Sequence, residues 1–296
     1  MDILKECTLC HHNCKINRYK NIGLCGAGID IKVARCSLHY YEEPIISGSN
    51  GSGAIFFSNC NLKCLYCQNK KISTDGCGKN ISINRFSDIC IELQNKHANN
   101  INLVTPTMYV PHIIEGIKLA KDKGLNIPII YNTSSYENIE TIKMLKDTVD
   151  VYLPDLKYYD DIYANNYSKV KDYFKHATLN IDEMYKQVGH VVIENNIIKK
   201  GVIVRILVLP GLVDDSKKII KYLYDKYGDD IYISIMNQYT PVNKIEKYDN
   251  LNRKVTDNEY DEVINYACDL GIVNAFIQEG DTQDESFIPD FDFTGV

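Results

Sequence analysis

The chain has 296 residues, of which 45% are hydrophobic and 24% are charged, and its formal net charge is -6. This length suits one large domain, or one domain with a small module, and the composition is that of a globular protein with a real core. The negative charge gives no general attraction for nucleic acid or for an anionic membrane. No apolar run approaches the ~20 residues of a membrane span, and the amino terminus lacks an apolar signal region. We therefore expect a cytoplasmic protein that binds neither nucleic acid nor membrane.

The chain contains eleven cysteines, and most of them lie in its first 77 residues. In a reducing compartment such clustering indicates metal binding rather than a disulfide framework. The first four read C-x2-C-x3-C-x10-C and are Cys7, Cys10, Cys14 and Cys25. Four thiolates can close a zinc or single-iron site, or bind an iron–sulfur cluster. The neighbouring His11 and His12 are interpreted as solvent-facing loop residues, because the four cysteines already suffice.

A second cysteine group follows the apolar run 53–57, which predicts a buried strand. Its spacing is C-x3-C-x2-C, at Cys60, Cys64 and Cys67, with the aromatic Tyr66 before the last cysteine. Three thiolates on one tight loop can hold three irons of a [4Fe–4S] cluster, and an open fourth iron can bind a substrate or cofactor. Structural zinc is the alternative, but zinc favours four protein ligands and a paired C-x2-C.

From residue 53 onward, apolar runs alternate with amphipathic helical patterns. Strands are expected at 53–57, 101–105, 127–132, 149–153, 202–209, 231–236 and 272–277. Continuous apolar runs are typical of parallel strands that helices cover. About six βα units predict an α/β fold, a partial (β/α)6-type TIM barrel, with a flat doubly wound sheet as the competing architecture. We expect a Cys-rich module over residues 1–50 and the barrel domain over residues 51–296. The long segment 154–201 is expected to be partly helical, either walling the barrel mouth or forming two ordinary surface helices.

Polar residues stand where the predicted strands end, which is where a parallel barrel carries its chemistry. The third strand delivers Asn132 and the fourth delivers Asp155 and Lys157. Asp155 and Lys157 are two positions apart, so they face the same side of an extended chain. This pair could bind the amino and carboxylate groups of a ligand, or form a plain ion pair.

Arg205 interrupts the apolar strand 202–209. A buried charge costs several kcal/mol unless it is paired. Arg205 is therefore expected to face the barrel lumen and bind an anion there, or to pair with an internal Asp or Glu. A carboxylate would suit the bidentate fork of its guanidinium.

The chain resembles the radical S-adenosylmethionine (SAM) superfamily and, within it, the proteins related to pyruvate formate-lyase activating enzymes. The cysteine motif with Tyr66 carries the first resemblance. The second is carried by residues 7–14, 42–48, 51–57, 60–69, 100–107, 131–136, 152–158, 204–211 and 236–241.

This resemblance implies a barrel of the radical SAM kind, a [4Fe–4S] cluster on the second cysteine group, and SAM at its open iron. The expected cofactor contacts are Tyr66, Asn132, Asp155, Lys157 and Arg205. The implied activity is reductive cleavage of SAM to a 5′-deoxyadenosyl radical that abstracts hydrogen from a substrate. A glycyl-radical enzyme is the first candidate substrate, and another peptide or small molecule is the second. The partners implied are that substrate and an external reductant such as flavodoxin or ferredoxin.

Two other classes of function remain open. An iron–sulfur electron carrier or assembly protein would use the same cysteines without binding SAM, and it would leave Asp155, Lys157 and Arg205 without a role. A zinc-bound interaction module would use the barrel only as a scaffold. A SAM-cleavage assay after anaerobic reconstitution separates these alternatives from the enzyme.

Overall fold

The computed structural model describes residues 2–242, 244–278 and 289–296. In these residues ten strands form one sheet. The strands are β1 (Ile31–His39), β2 (Ser52–Phe57), β3 (Lys79–Ile81), β4 (Ile101–Val104), β5 (Ile129–Thr133), β6 (Val151–Pro154), β7 (Val192–Glu194), β8 (Ile197–Leu207), β9 (Tyr232–Met236) and β10 (Ala275–Ile277).

Helices follow the strands. They are α1 (Pro44–Ser47), α2 (Lys70–Ser73), α3 (Ile83–Asn95), α4 (Val110–Asp122), α5 (Ile139–Met144), α6 (Asp161–Ser168), α7 (Tyr173–Val188), α8 (Val213–Tyr227) and α9 (Asp257–Asp269). Short 3₁₀ turns span Thr107–Tyr109 and Asp249–Asn252. Throughout the described part of the chain, no helix is both long and apolar enough to cross a membrane.

The parallel part of the sheet contains β2, β4, β5, β6, β8, β9 and β10, paired in that order. Each of these strands lies beside the next parallel strand along the chain, and the two intervening strands pair elsewhere: β3 with β1, and β7 with β8. A doubly wound sheet reverses its strand order at a switch point, and this sheet has no such reversal. The partial (β/α)6-type barrel predicted from the sequence is therefore confirmed. Among the described strands, the sheet ends at β10 on one side and β3 on the other, and these strands leave the barrel open.

The first strand and helix belong to the barrel. β1 pairs antiparallel with both β2 and β3, so the sheet begins at residue 31, within the segment that the sequence assigns to the Cys-rich module. Ile46 of α1 is fully buried in an apolar cluster with inward-facing residues of three strands. Those residues are Ile130 of β5, Val151 and Leu153 of β6, and Ile198 and Ile203 of β8. α1 thereby plugs one end of the barrel.

The segment 154–201 contains both structures that the sequence left open. α7 packs against α5, β6 and β8, as an ordinary outer helix of the barrel. The end of α6 instead contacts the loop after β2, because the Leu65 amide donates to the Tyr167 carbonyl at 2.8 Å and the Lys63 amide donates to the Ser168 carbonyl at 3.3 Å. α6 therefore walls the mouth of the barrel.

Candidate cluster and cofactor site

The loop after β2 brings three thiols to one cavity. Cys60, Cys64 and Cys67 line this cavity at the carboxyl ends of the parallel strands, and they interact electrostatically with one another. The loop keeps its shape through the backbone bonds to α6 and through Asn59, whose φ of 74° starts the turn. The three-residue motif seen in the sequence is therefore one compact group of thiols in the structure.

Each of these sulfurs has its own hydrogen-bond partner. The Leu62 amide donates to Cys60 Sγ at 3.4 Å, Cys64 Sγ lies 2.9 Å from Ser168 Oγ, and Cys67 Sγ lies 3.2 Å from Ser73 Oγ. Hydrogen bonds to cysteine sulfurs orient them and tune an iron–sulfur cluster. Burial raises the pKa of the Cys64 thiol to about 11 and raises the pKa of Cys60 as well. Three sulfurs that share one cavity and each have a hydrogen-bond partner are a donor set that fits a cluster.

Tyr66 is buried beside these thiols and lines the same cavity. Its hydroxyl lies 2.6 Å from the hydroxyl of Tyr158, which lies 2.7 Å from Ser168 Oγ. A chain of hydrogen bonds thus runs from Tyr66 through Tyr158 and Ser168 to Cys64. Because the Tyr66 hydroxyl is already engaged, its ring is the part that is available to a ligand.

The same cavity is lined by the polar residues predicted at the strand ends. Asn132, Asp155 and Lys157 all line it, and Lys157 Nζ lies 2.6 Å from Asp155 Oδ2. Burial by itself would lower the pKa of Lys157. The negative charges of Asp155 and Cys64 outweigh this effect, so the pKa of Lys157 is raised above its ordinary value. Lys157 is therefore an ammonium that lies beside the cysteine group. Of the two roles left open by the sequence, the ion pair is present, and the pair faces the cavity.

Arg205 also lines this cavity, and it is paired internally. Its Nε donates to Glu43 Oε1 at 2.8 Å, and its Nη2 donates to Glu43 Oε2 at 2.5 Å and to Glu42. The pairing alternative is therefore correct. The argument that Arg205 needs a ligand anion to offset its burial loses its basis, because two carboxylates already surround it. No described residue accepts a hydrogen bond from Nη1, and the arginine stays on the cavity wall.

The alternation of strand side chains explains why these polar groups meet. Asn132 stands two residues after Ile130, Asp155 stands two after Leu153, and Arg205 stands two after Ile203. Side chains two positions apart on a strand share a face. The same inward faces are therefore apolar where α1 plugs the barrel and polar one step farther along, where the cavity begins.

A second cavity adjoins the first and reaches the open side of the barrel. The two share Asn132, Arg205 and Gln238 among their walls. The second cavity continues to the end of β1 at His39 and to the end of β10, where Gln278 follows the strand. Space beside the thiols is therefore continuous with the edge at which the barrel is open.

The four amino-terminal cysteines also gather around one small cavity. Cys7, Cys10, Cys14 and Cys25 all line it, and the electrostatics of Cys10 includes each of the other three. Burial raises the pKa of Cys10 to about 12. Gly23 leaves room beside two of the sulfurs, since a Cβ there would lie 3.2 Å from Cys25 Sγ and 3.7 Å from Cys14 Sγ.

In neither cysteine group do the described side chains have the geometry needed to coordinate a metal ion. Over residues 2–242, 244–278 and 289–296, no set of three or more His, Cys, Asp or Glu side chains is arranged to hold a metal ion. The amino-terminal thiols share a cavity, and they would have to move closer together to bind a metal ion there.

The amino-terminal segment is attached to the loop after β2. His12 Nε2 lies 2.6 Å from the Asn61 carbonyl oxygen, and Lys63 Nζ donates to the Cys25 carbonyl at 3.3 Å. Asn61 also lines the cavity of the amino-terminal thiols. The interpretation of His12 as a solvent-facing residue is therefore wrong, because its ring is held against the cysteine loop.

Sequence reasoning assigned no role to several residues of the site. Glu42 and Glu43 lie in one of the stretches that carry the family resemblance, so the need of Arg205 for an acidic partner could have pointed to them. Tyr158 also lies in one of those stretches, but neither Tyr158 nor Ser168 could be assigned a contact, because each reaches Cys64 or Tyr66 only through the folding of the 154–201 segment.

Comparisons with known proteins agree with this geometry. The family model for the radical SAM superfamily matches residues 54–223. The uncharacterized protein MJ0674 of Methanocaldococcus jannaschii is 31% identical over 278 residues, which cover 90% of this chain and 75% of that protein.

Two solved structures share the fold at low sequence identity. A radical SAM methyltransferase from Sphaerobacter thermophilus is 13% identical with a TM-score of 0.54, covering 77% of this chain and 66% of the other. SuiB of Streptococcus suis, bound to the precursor peptide SuiA, is 12% identical with a TM-score of 0.51, covering 75% of this chain and 47% of the other. The family match spans the cysteine loop and most of the parallel strands, and the chain belongs to the radical SAM superfamily, whose members bind a [4Fe–4S] cluster and SAM.

Proposed function

We propose that this chain cleaves SAM reductively and uses the product radical to abstract a hydrogen atom from a substrate. One observation carries the proposal. The three thiols of the loop after β2 share a cavity with the Asp155–Lys157 pair, at the carboxyl ends of the parallel strands. A protein that only carried electrons would have no use for a polar, open space beside its cluster.

The side chains of the chain hold and orient the two cofactors. Cys60, Cys64 and Cys67 would ligate three irons, and Lys157 would offset part of the negative charge of the thiolates, since it already interacts with Cys64. A reduced cluster held by these three cysteines would supply the electron for cleavage of the C5′–S bond of SAM, which gives methionine and a 5′-deoxyadenosyl radical. The protein contributes positioning and a site shielded from water.

The remaining cavity residues are proposed to hold SAM. The Asp155–Lys157 pair offers one carboxylate and one ammonium to the methionine moiety, and the ring of Tyr66 offers an apolar face. The side-chain amide of Asn132 makes no hydrogen bond to the described residues and lies on both cavities, so it is available to a ligand. Arg205 retains Nη1 for the SAM carboxylate while Nε and Nη2 serve Glu43 and Glu42.

A glycyl-radical enzyme is the first candidate substrate, on the resemblance to the activating enzymes of pyruvate formate-lyase. Modification of another peptide or of a small molecule is the second. Either substrate would reach the radical through the cavity that continues to the open edge between β10 and β1. A flavodoxin or ferredoxin would deliver the electron. The amino-terminal cysteines Cys7, Cys10, Cys14 and Cys25 are proposed to form a second, structural metal site that holds zinc, iron or an iron–sulfur cluster.

The test is a SAM-cleavage assay after anaerobic reconstitution with iron and sulfide. With dithionite and SAM, wild-type protein should form 5′-deoxyadenosine and methionine. Replacing Cys60, Cys64 and Cys67 together by Ala should abolish the products and remove the share of the thiolate–iron absorbance that comes from this cluster. Cys268→Ala is the matched control, because this exposed thiol of α9 lies outside both cysteine groups. A wild-type protein that assembled its cluster and left SAM intact would favour the electron carrier.

A further inference from the structure

Arg18 is buried without a carboxylate partner. Its side chain is among the largest fully buried ones, with 2% of the residue exposed. Its Nε donates to the Gly28 carbonyl at 2.9 Å, its Nη2 donates to the same oxygen, and its Nη1 donates to the Met108 carbonyl. Its guanidinium carbon lies 5.8 Å from the ring centre of Tyr109. In the part of the chain that the structure describes, no Asp or Glu forms an ion pair with it.

This arrangement gives each nitrogen of Arg18 a hydrogen bond but leaves its charge without a counter-ion. Carbonyl oxygens and an aromatic face attract a guanidinium only as dipoles and a quadrupole. A buried charge without a counter-ion costs several kcal/mol. Arg205, whose side chain is 11% exposed, shows the contrasting case, with two carboxylates around it.

The missing anion has a place beside Arg18. Arg18 lines the same small cavity as the four amino-terminal thiols, and it acts electrostatically on Cys25. The rest of that cavity is mainly apolar or neutral, with Leu9, Leu24, Thr107, Met108 and Asn61 among its walls. Neutral thiols would not offset the charge of Arg18. Four thiolates around a divalent ion carry roughly two net negative charges, and such a site would offset it.

We propose that Cys7, Cys10, Cys14 and Cys25 bind one thiophilic divalent ion, Zn²⁺ or Fe²⁺, as an anionic tetrathiolate whose counter-ion is the buried Arg18. This inference rests on the proposed second metal site and gives that site its charge balance. On binding, four S–H bonds break, four metal–sulfur bonds form, and four protons leave to solvent with no change of oxidation state. Arg18 does not ligate the metal. It is a positioning and charge-balancing residue that offsets the net negative charge of the metal–tetrathiolate group.

Two substitutions separate the charge of Arg18 from its hydrogen bonds. Arg18→Gln keeps amide donors for the carbonyls of Gly28 and Met108 but removes the charge. Arg18→Lys keeps the charge but loses the planar guanidinium that donates to both carbonyls. Arg253→Met serves as the matched control, because Arg253 is a half-exposed arginine whose side chain pairs with Glu259 on the surface.

The experiment uses the full chain with Cys60, Cys64 and Cys67 all replaced by Ser, so that the amino-terminal group is the remaining thiol cluster. Co²⁺ is titrated anaerobically, and its visible spectrum reports tetrahedral thiolate coordination. Zn²⁺ affinity is then measured by chelator competition. We expect one ion per chain, an affinity at least about tenfold weaker in Arg18→Gln, a smaller loss in Arg18→Lys, and no change in Arg253→Met. Far-UV circular dichroism checks folding, and a variant that folds only with excess Co²⁺ is measured by competition from the loaded state.

The outcomes distinguish the two proposals. If the parent chain bound neither Co²⁺ nor Zn²⁺ through thiolates, the second metal site itself would be wrong. If the parent bound one ion and Arg18→Gln matched its affinity within about twofold, the site would stand and the role of Arg18 would be overturned. Equal losses in Arg18→Gln and Arg18→Lys would also overturn it, because they would assign the effect to the hydrogen bonds of the fork.

Discussion

Arg205 of β8 and Glu43, in the turn before α1, form a two-point ion pair inside the barrel, with Nε 2.8 Å from Glu43 Oε1 and Nη2 2.5 Å from Glu43 Oε2. Their side chains are 11% and 5% exposed, and Glu42 adds a second carboxylate that is 8% exposed. This group lies between the apolar plug at Ile46 and the cavity of the cysteine loop, so it connects the closed end of the barrel to the candidate site.

Replacing Arg205 by Met should destabilise the fold at neutral pH. Two buried carboxylates would remain without their guanidinium, and breaking a buried pair by removing one partner costs about 3–5 kcal/mol. Urea unfolding at pH 7 measures the change in the free energy of unfolding. Arg253→Met is the control, and because that arginine is 45% exposed we expect a loss below about 1 kcal/mol. Equal losses in the two variants would contradict the account.

The destabilisation by Arg205→Met should diminish as the pH falls. Burial raises the pKa of Glu43 in the wild type, but the charge and hydrogen bonds of Arg205 outweigh burial and lower the pKa below 4.5. The stabilisation that ionised Glu43 provides is therefore complete above pH 4.5, the ordinary pKa of this carboxyl. It is lost as the pH falls through the lower pKa that Glu43 has in the folded protein. Without Arg205, burial alone raises the pKa of Glu43. The destabilisation by the buried, unpaired carboxylate is therefore complete only above this raised pKa, and it decreases as the pH falls and Glu43 takes up a proton. Unfolding curves from pH 7 to 4.5 should converge, and parallel curves would show that Glu43 is not the cause.

Whether Arg205 also holds SAM requires a variant that keeps the fold. Arg205→Met combined with Glu42→Gln and Glu43→Gln removes all three charges together, so no buried carboxylate is left unpaired. If Arg205 binds the SAM carboxylate through Nη1, this triple variant should regain stability relative to Arg205→Met and bind SAM at least about tenfold more weakly than wild type. Equilibrium SAM binding to the reconstituted protein measures this. An affinity within about threefold of wild type would limit Arg205 to the ion pair.

The sequence predicted the barrel and its cysteine loop well, because both signals are local. Apolar runs at 53–57 and 202–209 match β2 and the later part of β8, and the cysteine spacing is a property of one short loop. Arg205 shows where local reasoning stops. An arginine in an apolar strand demands a partner, but its partner stands 162 positions away in the chain, and only the antiparallel pairing of β1 with β2 brings Glu43 into the lumen.

The same limit applies to the amino-terminal segment. Its cysteine spacing indicated a shared site, and the structure places those thiols around one cavity. Its attachment to the barrel could not be predicted, because the contacts of His12 with Asn61 and of Lys63 with Cys25 join segments separated by 49 and 38 positions. The burial of Arg18 could not be predicted for a related reason. Its sequence neighbours are those of a polar loop, in which an arginine is usually exposed, and only the tertiary structure buries it.

Replacing Lys157 by Met should make the cluster harder to reduce. Lys157 is an ammonium that interacts with Cys64, and a nearby positive charge favours the reduced, more negative cluster. We expect the midpoint potential to fall by some tens of mV, where 59 mV corresponds to a tenfold change for one electron. An electron paramagnetic resonance titration of the reconstituted protein measures it. Lys218→Met is the control, since Lys218 pairs with Asp160 on the surface, and a shift of the same size there would assign the effect to net charge alone.

Two glycines of the amino-terminal segment provide the last test, because a methyl group meets different neighbours at each. A Cβ at Gly23 would lie 3.2 Å from Cys25 Sγ and 3.7 Å from Cys14 Sγ, whereas a Cβ at Gly28 would meet only Ile22 Cγ2 at 3.8 Å. The first contact is tight enough that the Cys25 thiol must move, and the second is an ordinary van der Waals contact. Neither glycine has the positive φ that would strain an alanine.

We therefore expect Gly23→Ala to lose metal from the amino-terminal site while Gly28→Ala retains it. Metal per chain is measured by mass spectrometry after dialysis against a chelator, in the variant that lacks Cys60, Cys64 and Cys67. Thermal unfolding with and without added Zn²⁺ gives a second readout, since an ion that binds only the folded chain raises the unfolding temperature. Gly23→Ala should show a smaller rise than Gly28→Ala. If both variants held metal as the parent does, the space beside Cys14 and Cys25 would not be the place where the ion binds.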